Sequence, residues 1–139
     1  MIEIIFRGKK KFYNDFAYGF YLEKNDGKVF LIMDENMDTY HIIPETVGQF
    51  IGVHDKGGKK LFDGDIVEAW SQGSKGRFVI KYRLDGGGTP CYILYPAWHN
   101  GEMWSISSSK ESDGKYYDRG IEVIGNIHEH KNLLGGEVD

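Results

Sequence analysis

Arg77-Phe78-Val79-Ile80-Lys81-Tyr82-Arg83-Leu84, followed by Asp85-Gly86-Gly87-Gly88, is the stretch that settles the fold class. Successive side chains of an extended chain point to opposite faces. Phe78, Ile80, Tyr82 and Leu84 therefore share one side, and Arg77, Val79, Lys81 and Arg83 share the other. That two-residue period is the mark of a half-buried antiparallel strand, and the glycine run marks its end.

The same reading extends in both directions. Toward the N-terminus lie Asp65–Trp70 beyond a polar loop at Ser71–Gly76, then Gln49–His54, Thr39–Ile43, Val29–Met33, Tyr18–Lys24 and Ile2–Phe6. Asp55-Lys56-Gly57-Gly58-Lys59 and Asn25-Asp26-Gly27 separate neighbouring runs and carry residues that tolerate the positive φ of tight hairpin turns. Arg7-Gly8-Lys9-Lys10-Lys11 reads as a break after the first strand. Pro44–Gly48 reads as a short helical turn, with proline at its start and glycine at its stop.

Toward the C-terminus the strands are Cys91–Tyr95, Met103–Ser107 and Ile121–Ile127, with Ser105–Lys115 a polar, mobile loop. Asn126, with Glu129 three residues on, has the spacing of a capping box, which predicts one helical turn through Leu134. Gly135-Gly136 stops it, and residues 135–139 are expected to be a disordered tail.

The totals agree with a mainly β protein containing short helical turns only. Among 139 residues there are 19 glycines and 3 prolines, and no long segment has the helical period. Hydrophobic residues make up 40% and aromatics 14%, enough to build a core. The expected organisation is an N-terminal β-meander over residues 1–50 and a small β-barrel over 51–134. The formal net charge is −4, and neither half of the chain is a basic block that would call for nucleic acid by charge alone. A single cysteine, Cys91, excludes an internal disulfide and a cysteine metal cluster, and fits a reducing cytoplasm. No apolar stretch is long enough to span a membrane, so a cytoplasmic, non-secreted protein is expected.

Each constellation that could carry chemistry has a simpler reading. There is no Gly-x-Ser-x-Gly elbow, and Cys91 sits among apolar neighbours as a packed thiol. Gly86-Gly87-Gly88 lacks the Lys and Ser/Thr of a phosphate loop and reads as a hairpin loop. His128-Glu129-His130 offers two ligands on one face of a strand but no third or fourth. Asp34-Glu35-Asn36-Met37-Asp38 superficially matches a calcium loop but has Thr39 where glycine is required. Asp63-Gly64-Asp65 reads as turn chemistry at the start of a strand. No catalytic, cofactor-binding or metal-ligating set is therefore expected, and no cofactor.

Two kinds of surface remain. Arg77, Lys81 and Arg83 form a basic strand face able to meet a single-stranded nucleic acid, and Arg7, Lys9, Lys10 and Lys11 run into Phe12, Tyr13 and Phe16. The simpler reading is a solvated turn and a protected strand edge. Trp70, Trp98 and Trp104 are candidate anchors for a protein partner.

Two blocks carry a family resemblance. One runs Pro44-Glu45-Thr46-Val47-Gly48-Gln49-Phe50-Ile51-Gly52 and on through Asp55-Lys56-Gly57-Gly58-Lys59-Lys60-Leu61-Phe62-Asp63-Gly64-Asp65-Ile66-Val67. The other is Glu122-Val123-Ile124-Gly125-Asn126-Ile127-His128-Glu129, with Asn132-Leu133-Leu134 behind it. In this order, with an opening strand ending at Phe6-Arg7, they resemble the YopX family of phage and prophage proteins. Asp63 stands where that family usually has Glu, and His128 where it usually has Tyr or Phe, which argues against His128 as a family-wide ligand. The resemblance implies an all-β protein in two parts, the second a small SH3-like barrel, and brings no catalytic residues with it. The functional expectation is a non-enzymatic phage accessory protein that docks a protein partner or itself. The alternative is a single-stranded nucleic-acid binder using the Arg77/Lys81/Arg83 face.

Overall fold

The structure, a computed structural model, describes residues 4–71, 73–84 and 90–134. Gly86-Gly87-Gly88, the tail 135–139 and the Arg83 and Cys91 side chains lie outside the described residues. The protein is mainly β, as the two-residue period predicts. Helical geometry among the described residues is confined to two 3₁₀ turns, Pro44–Thr46 and Lys131–Leu134. None of the described helices is long and apolar enough to cross a membrane. The chain divides into two compact units, residues 1–50 and 51–139.

In the first unit, β1 (Phe6–Lys9), β2 (Phe16–Lys24), β3 (Val29–Met33) and β4 (Thr39–His41) pair antiparallel in sequence order. The start of β5 (Gly48–His54) pairs with the free edge of β1 through Phe6↔Gln49 and Arg7↔Gly48. The β2–β3 turn uses Asn25, Asp26 and Gly27, all at positive φ, as the sequence predicts. Ala17, Ile32 and Ile42 form the buried centre, with Phe6, Tyr21, Phe30 and Tyr40 packed around it.

The first strand corrects the sequence reading. Arg7-Gly8-Lys9, expected as a break, is the body of β1. Gly8 is there for packing: a Cβ would stand 2.9 Å from Ile42 Cδ1 and 3.2 Å from Ile32 Cδ1. Parity on β2 is also informative. Ala17 faces the core, whereas Tyr18 and Phe20 are exposed.

In the second unit, β6 (Lys60–Phe62) leads through the Asp63-Gly64 turn into β7 (Asp65–Ser71). Next come β8 (Ser74–Leu84) and β9 (Pro90–Tyr95). A two-residue pair follows, β10 (Trp98–His99) with β11 (Glu102–Met103). A second hairpin pairs β12 (Ser109–Lys110) with β13 (Tyr116–Tyr117), and β13 runs parallel to Val53 and His54 of β5. The segment Ser105–Lys115, expected as a mobile loop, therefore contains β12 and its turn. The last strand, β14 (Ile121–Asn126), completes a four-stranded antiparallel sheet in the order β14-β7-β8-β9. Its inner face buries Val67, Ala69, Phe78, Ile80, Leu94 and Ile121 against Val53, Leu61 and Trp104.

The SH3-like closed barrel is not what this unit forms. The sheet ends at β14 and β9, and no described strand joins those ends. The physical reason lies on both edges. After β9 comes Pro96, which has no N–H to donate, and the next four strands, β10 to β13, are two residues each, too short to bridge an open sheet. Late residues Val123–Asn126 do pair with an earlier strand, but that strand is β7, with a bulge between Val123 and Gly125. Behind the bulge the C-terminal turn folds onto the sheet. A Cβ on Gly125 would meet the His130 ring and Leu133 Cδ1 at 2.9 Å, so glycine is what lets that turn seat.

Candidate interaction surface

Carboxylates hold turns in the structure, Asp65 of the Asp63-Gly64-Asp65 constellation among them. Asp55 is buried, and its Oδ1 accepts the N–H groups of Gly57 and Lys59 at 2.9 and 2.8 Å while Oδ2 accepts that of Val123 at 3.0 Å. Asp118 is likewise buried and accepts from Ser107 N and Gly120 N at 2.8 and 2.9 Å. Asp65 Oδ2 accepts the Phe62 N–H at 2.7 Å across the Asp63-Gly64 turn. Each carboxylate satisfies backbone donors that a tight corner would otherwise leave unpaired.

Asn126 caps as its spacing predicts. Its Oδ1 accepts from His128 N and Glu129 N, both at 3.0 Å. Glu129 reaches back to the Asn126 side-chain amide at 3.2 Å, a variation on the reciprocal box. His130 Nδ1 accepts the Asn126 N–H at 3.2 Å, so that ring is engaged in the same corner. No three His, Cys, Asp or Glu side chains converge as a metal site among the described residues. Asp34 Oδ1 likewise serves a turn, accepting from Asn36 N and Asp38 N at 2.9 and 3.0 Å.

Asp65 and Trp70 stand five residues apart in β7, about 16 Å along an extended chain. Asp63 lies near Tyr92, whose hydroxyl is pushed above its ordinary pKa first by burial and then by the Asp63 charge.

The basic face of β8 is partly engaged by contacts within the protein. Arg77 sits opposite Glu68 in the β7 ladder, 3.3 Å from its carboxylate, and also donates to the Leu133 carbonyl at 2.8 Å. Lys81 places its ammonium 4.1 Å from the centre of the Tyr95 ring. The third residue, Arg83, has its side chain outside the described residues.

The three tryptophans part company. Trp104 is 5% exposed, 5.0 Å from Phe78 between ring centres, and belongs to the core rather than to a docking surface. Trp70 is partly exposed, with the Lys56 ammonium 4.4 Å over its ring. Trp98 is 63% exposed, and Met103, directly opposite it across the β10–β11 pair, is 70% exposed.

That pair sits on a braced ribbon. Asn100 and Gly101, at φ 52° and 77°, make the two-residue turn, with positive φ at both central positions. Trp104 ties the ribbon's base to the core: its backbone N–H donates to the Ala97 carbonyl at 2.7 Å and its indole N–H to the His99 carbonyl at 3.0 Å. The His99 ring packs edge-on against Phe78 at 5.5 Å. One side of the ribbon is therefore core and the other presents Trp98 beside Met103. Sequence reasoning found Trp98 but missed Met103. The Asn100-Gly101 dipeptide was the available signal, because it fixes the register that sets the two side chains across from each other.

Two comparisons bear on identity. The family model described as YopX protein matches residues 6–135. A search of curated proteins returned no significant match.

Proposed function

We propose that this chain, which belongs to the YopX family, works as a non-enzymatic protein-interaction or self-assembly module whose docking surface is the Trp98–Met103 ribbon. The observation that carries the reading is the pair itself: two large apolar side chains, most of their surface in water, held in register by a two-residue turn and a core tryptophan. Burying the exposed part of Trp98 alone would return about 2–4 kcal/mol. Because the ribbon is already ordered, little conformational entropy is lost on docking. Tryptophan and methionine are both enriched at protein interfaces. The setting that accompanies this reading is an accessory role for a phage or prophage in the cytoplasm of its host, in keeping with the family resemblance and the single cysteine.

The test is solution mass by light scattering over a range of concentrations, together with affinity capture from host lysate. Both are run on the wild type and on the Trp98→Ala/Met103→Ala variant. The expected result is a higher-mass species or a captured protein that the double variant loses. A wild type that stays monomeric and captures nothing, or captures the same protein as the variant, refutes the reading.

A further inference from the structure

The bend between β1 and β2 is a second exposed surface, with different chemistry from the ribbon. Phe12 and Tyr13, adjacent in sequence, are 69% and 66% exposed. The bend is closed at its base: Lys10 N donates to the Asp15 carbonyl at 3.0 Å and Lys11 N to the His41 carbonyl at 2.8 Å. The Phe12 ring meets the His41 ring edge-on at 5.9 Å. Lys10 acts as an internal brace, its ammonium 3.0 Å from the Asp15 carboxylate and 4.2 Å over the Tyr40 ring. Lys11 lies 5.6 Å over Phe12, and no carboxylate pairs with it among the described residues. Residues 9–15 hold three cations, Lys9, Lys10 and Lys11, against the one carboxylate of Asp15, in a protein whose formal net charge is −4; the neighbouring Arg7 is buried.

We infer that this bend is a stacking platform for single-stranded nucleic acid, with Phe12 and Tyr13 meeting bases and Lys11 a phosphate. The local charge is opposite to that of the protein as a whole and complementary to a phosphate chain. Two neighbouring exposed rings offer π-faces that unpaired bases can use and the carboxylates of an acidic peptide cannot. With Lys10 held by Asp15 and Lys11 without a carboxylate partner among the described residues, stacking rather than charge supplies most of the affinity.

Fluorescence anisotropy with labelled oligothymidylate and oligouridylate tests this on the full chain at about 50 and 200 mM salt. Phe12→Ala and Tyr13→Ala should each weaken binding about tenfold, and Phe12→Trp should restore it. Lys11→Gln should flatten the log–log salt slope by about 0.7, one single-strand phosphate contact. An abasic oligonucleotide should bind at least about tenfold more weakly than the base-bearing one. Trp98→Ala should bind as the wild type does, which separates this surface from the ribbon. The inference is overturned by no binding at the lower salt, by equal affinity for the abasic strand, by polyglutamate competing as well as the oligonucleotide, or by aromatic variants that keep both melting temperature and affinity.

Discussion

Removing the Asp55 carboxylate should destabilise the second unit by about 2–4 kcal/mol, a figure built from three hydrogen bonds of unequal worth. Oδ2 accepts the Val123 N–H at 3.0 Å on half-buried β14, where nothing else replaces it, so that loss costs about 1–3 kcal/mol. Oδ1 accepts from Gly57 and Lys59, both exposed, where water can substitute, so each is worth about 0.5 kcal/mol. Asp55→Asn separates the two contributions. It keeps an oxygen for the turn but sets an amide N–H against the Val123 N–H, so it should cost nearly as much as Asp55→Ala. Urea unfolding should show midpoints lowered by about 1–2 M with unchanged slope. A loss below about 0.5 kcal/mol for Asp55→Ala, or an Asn variant indistinguishable from wild type, would refute the assignment of this buried carboxylate to its corner.

Gly125→Ala should cost about 1–3 kcal/mol by overpacking against His130 and Leu133, and should raise amide exchange across residues 126–133; unchanged exchange would contradict the packing role. Trp104→Ala should cost about 3–5 kcal/mol, whereas Trp98→Ala should leave the melting temperature nearly unchanged, and equal effects would overturn their assignment to core and surface. In acid the β12–β13 hairpin should loosen. The side-chain hydrogen bond from Arg119 holds the Glu111 carboxyl below 4.5, and the Tyr117 hydroxyl, followed by the Lys115 N–H, holds that of Asp113 below 3.8. Both folded values lie below the unfolded ones, so the contribution is complete above the unfolded pKa and fades as pH falls through the folded one. Carbon-detected NMR titration should place both midpoints below those references, with Arg119→Gln returning Glu111 upward; a Glu111 midpoint at or above 4.5 in the wild type would contradict the pairing.

What could be read from the sequence follows from how local the determinants are. Val29–Met33 and the Asn25-Asp26-Gly27 turn were legible because the two-residue period and the turn chemistry coincide within a few residues. Gly8 was misread because a glycine that makes room for Ile42 looks, in sequence, like a glycine that makes a turn. Ser105–Lys115 looked mobile because its ordering comes from Asp118, Asp113 and Arg119, polar residues whose partners are set only in the fold. The closed barrel failed for a similar reason: which strand a late segment joins is a non-local choice, and Val123–Asn126 chose β7. Trp98 and Trp104 could not be told apart from composition. The Asn100-Gly101 turn decides which faces water, and the pairing register of a two-residue strand is weakly specified without it.

The most direct measurement on the docking surface is site-specific photocrosslinking from position 103. A benzophenone-bearing residue introduced in place of Met103, irradiated in host lysate, should give a discrete adduct with one protein or with a second copy of the chain. The same probe in place of exposed Met37 should give none. Trp98→Ala should abolish the adduct. A probe at position 103 that yields no adduct, or the same diffuse products as position 37, would contradict the claim that the Trp98–Met103 ribbon is where this protein meets its partner.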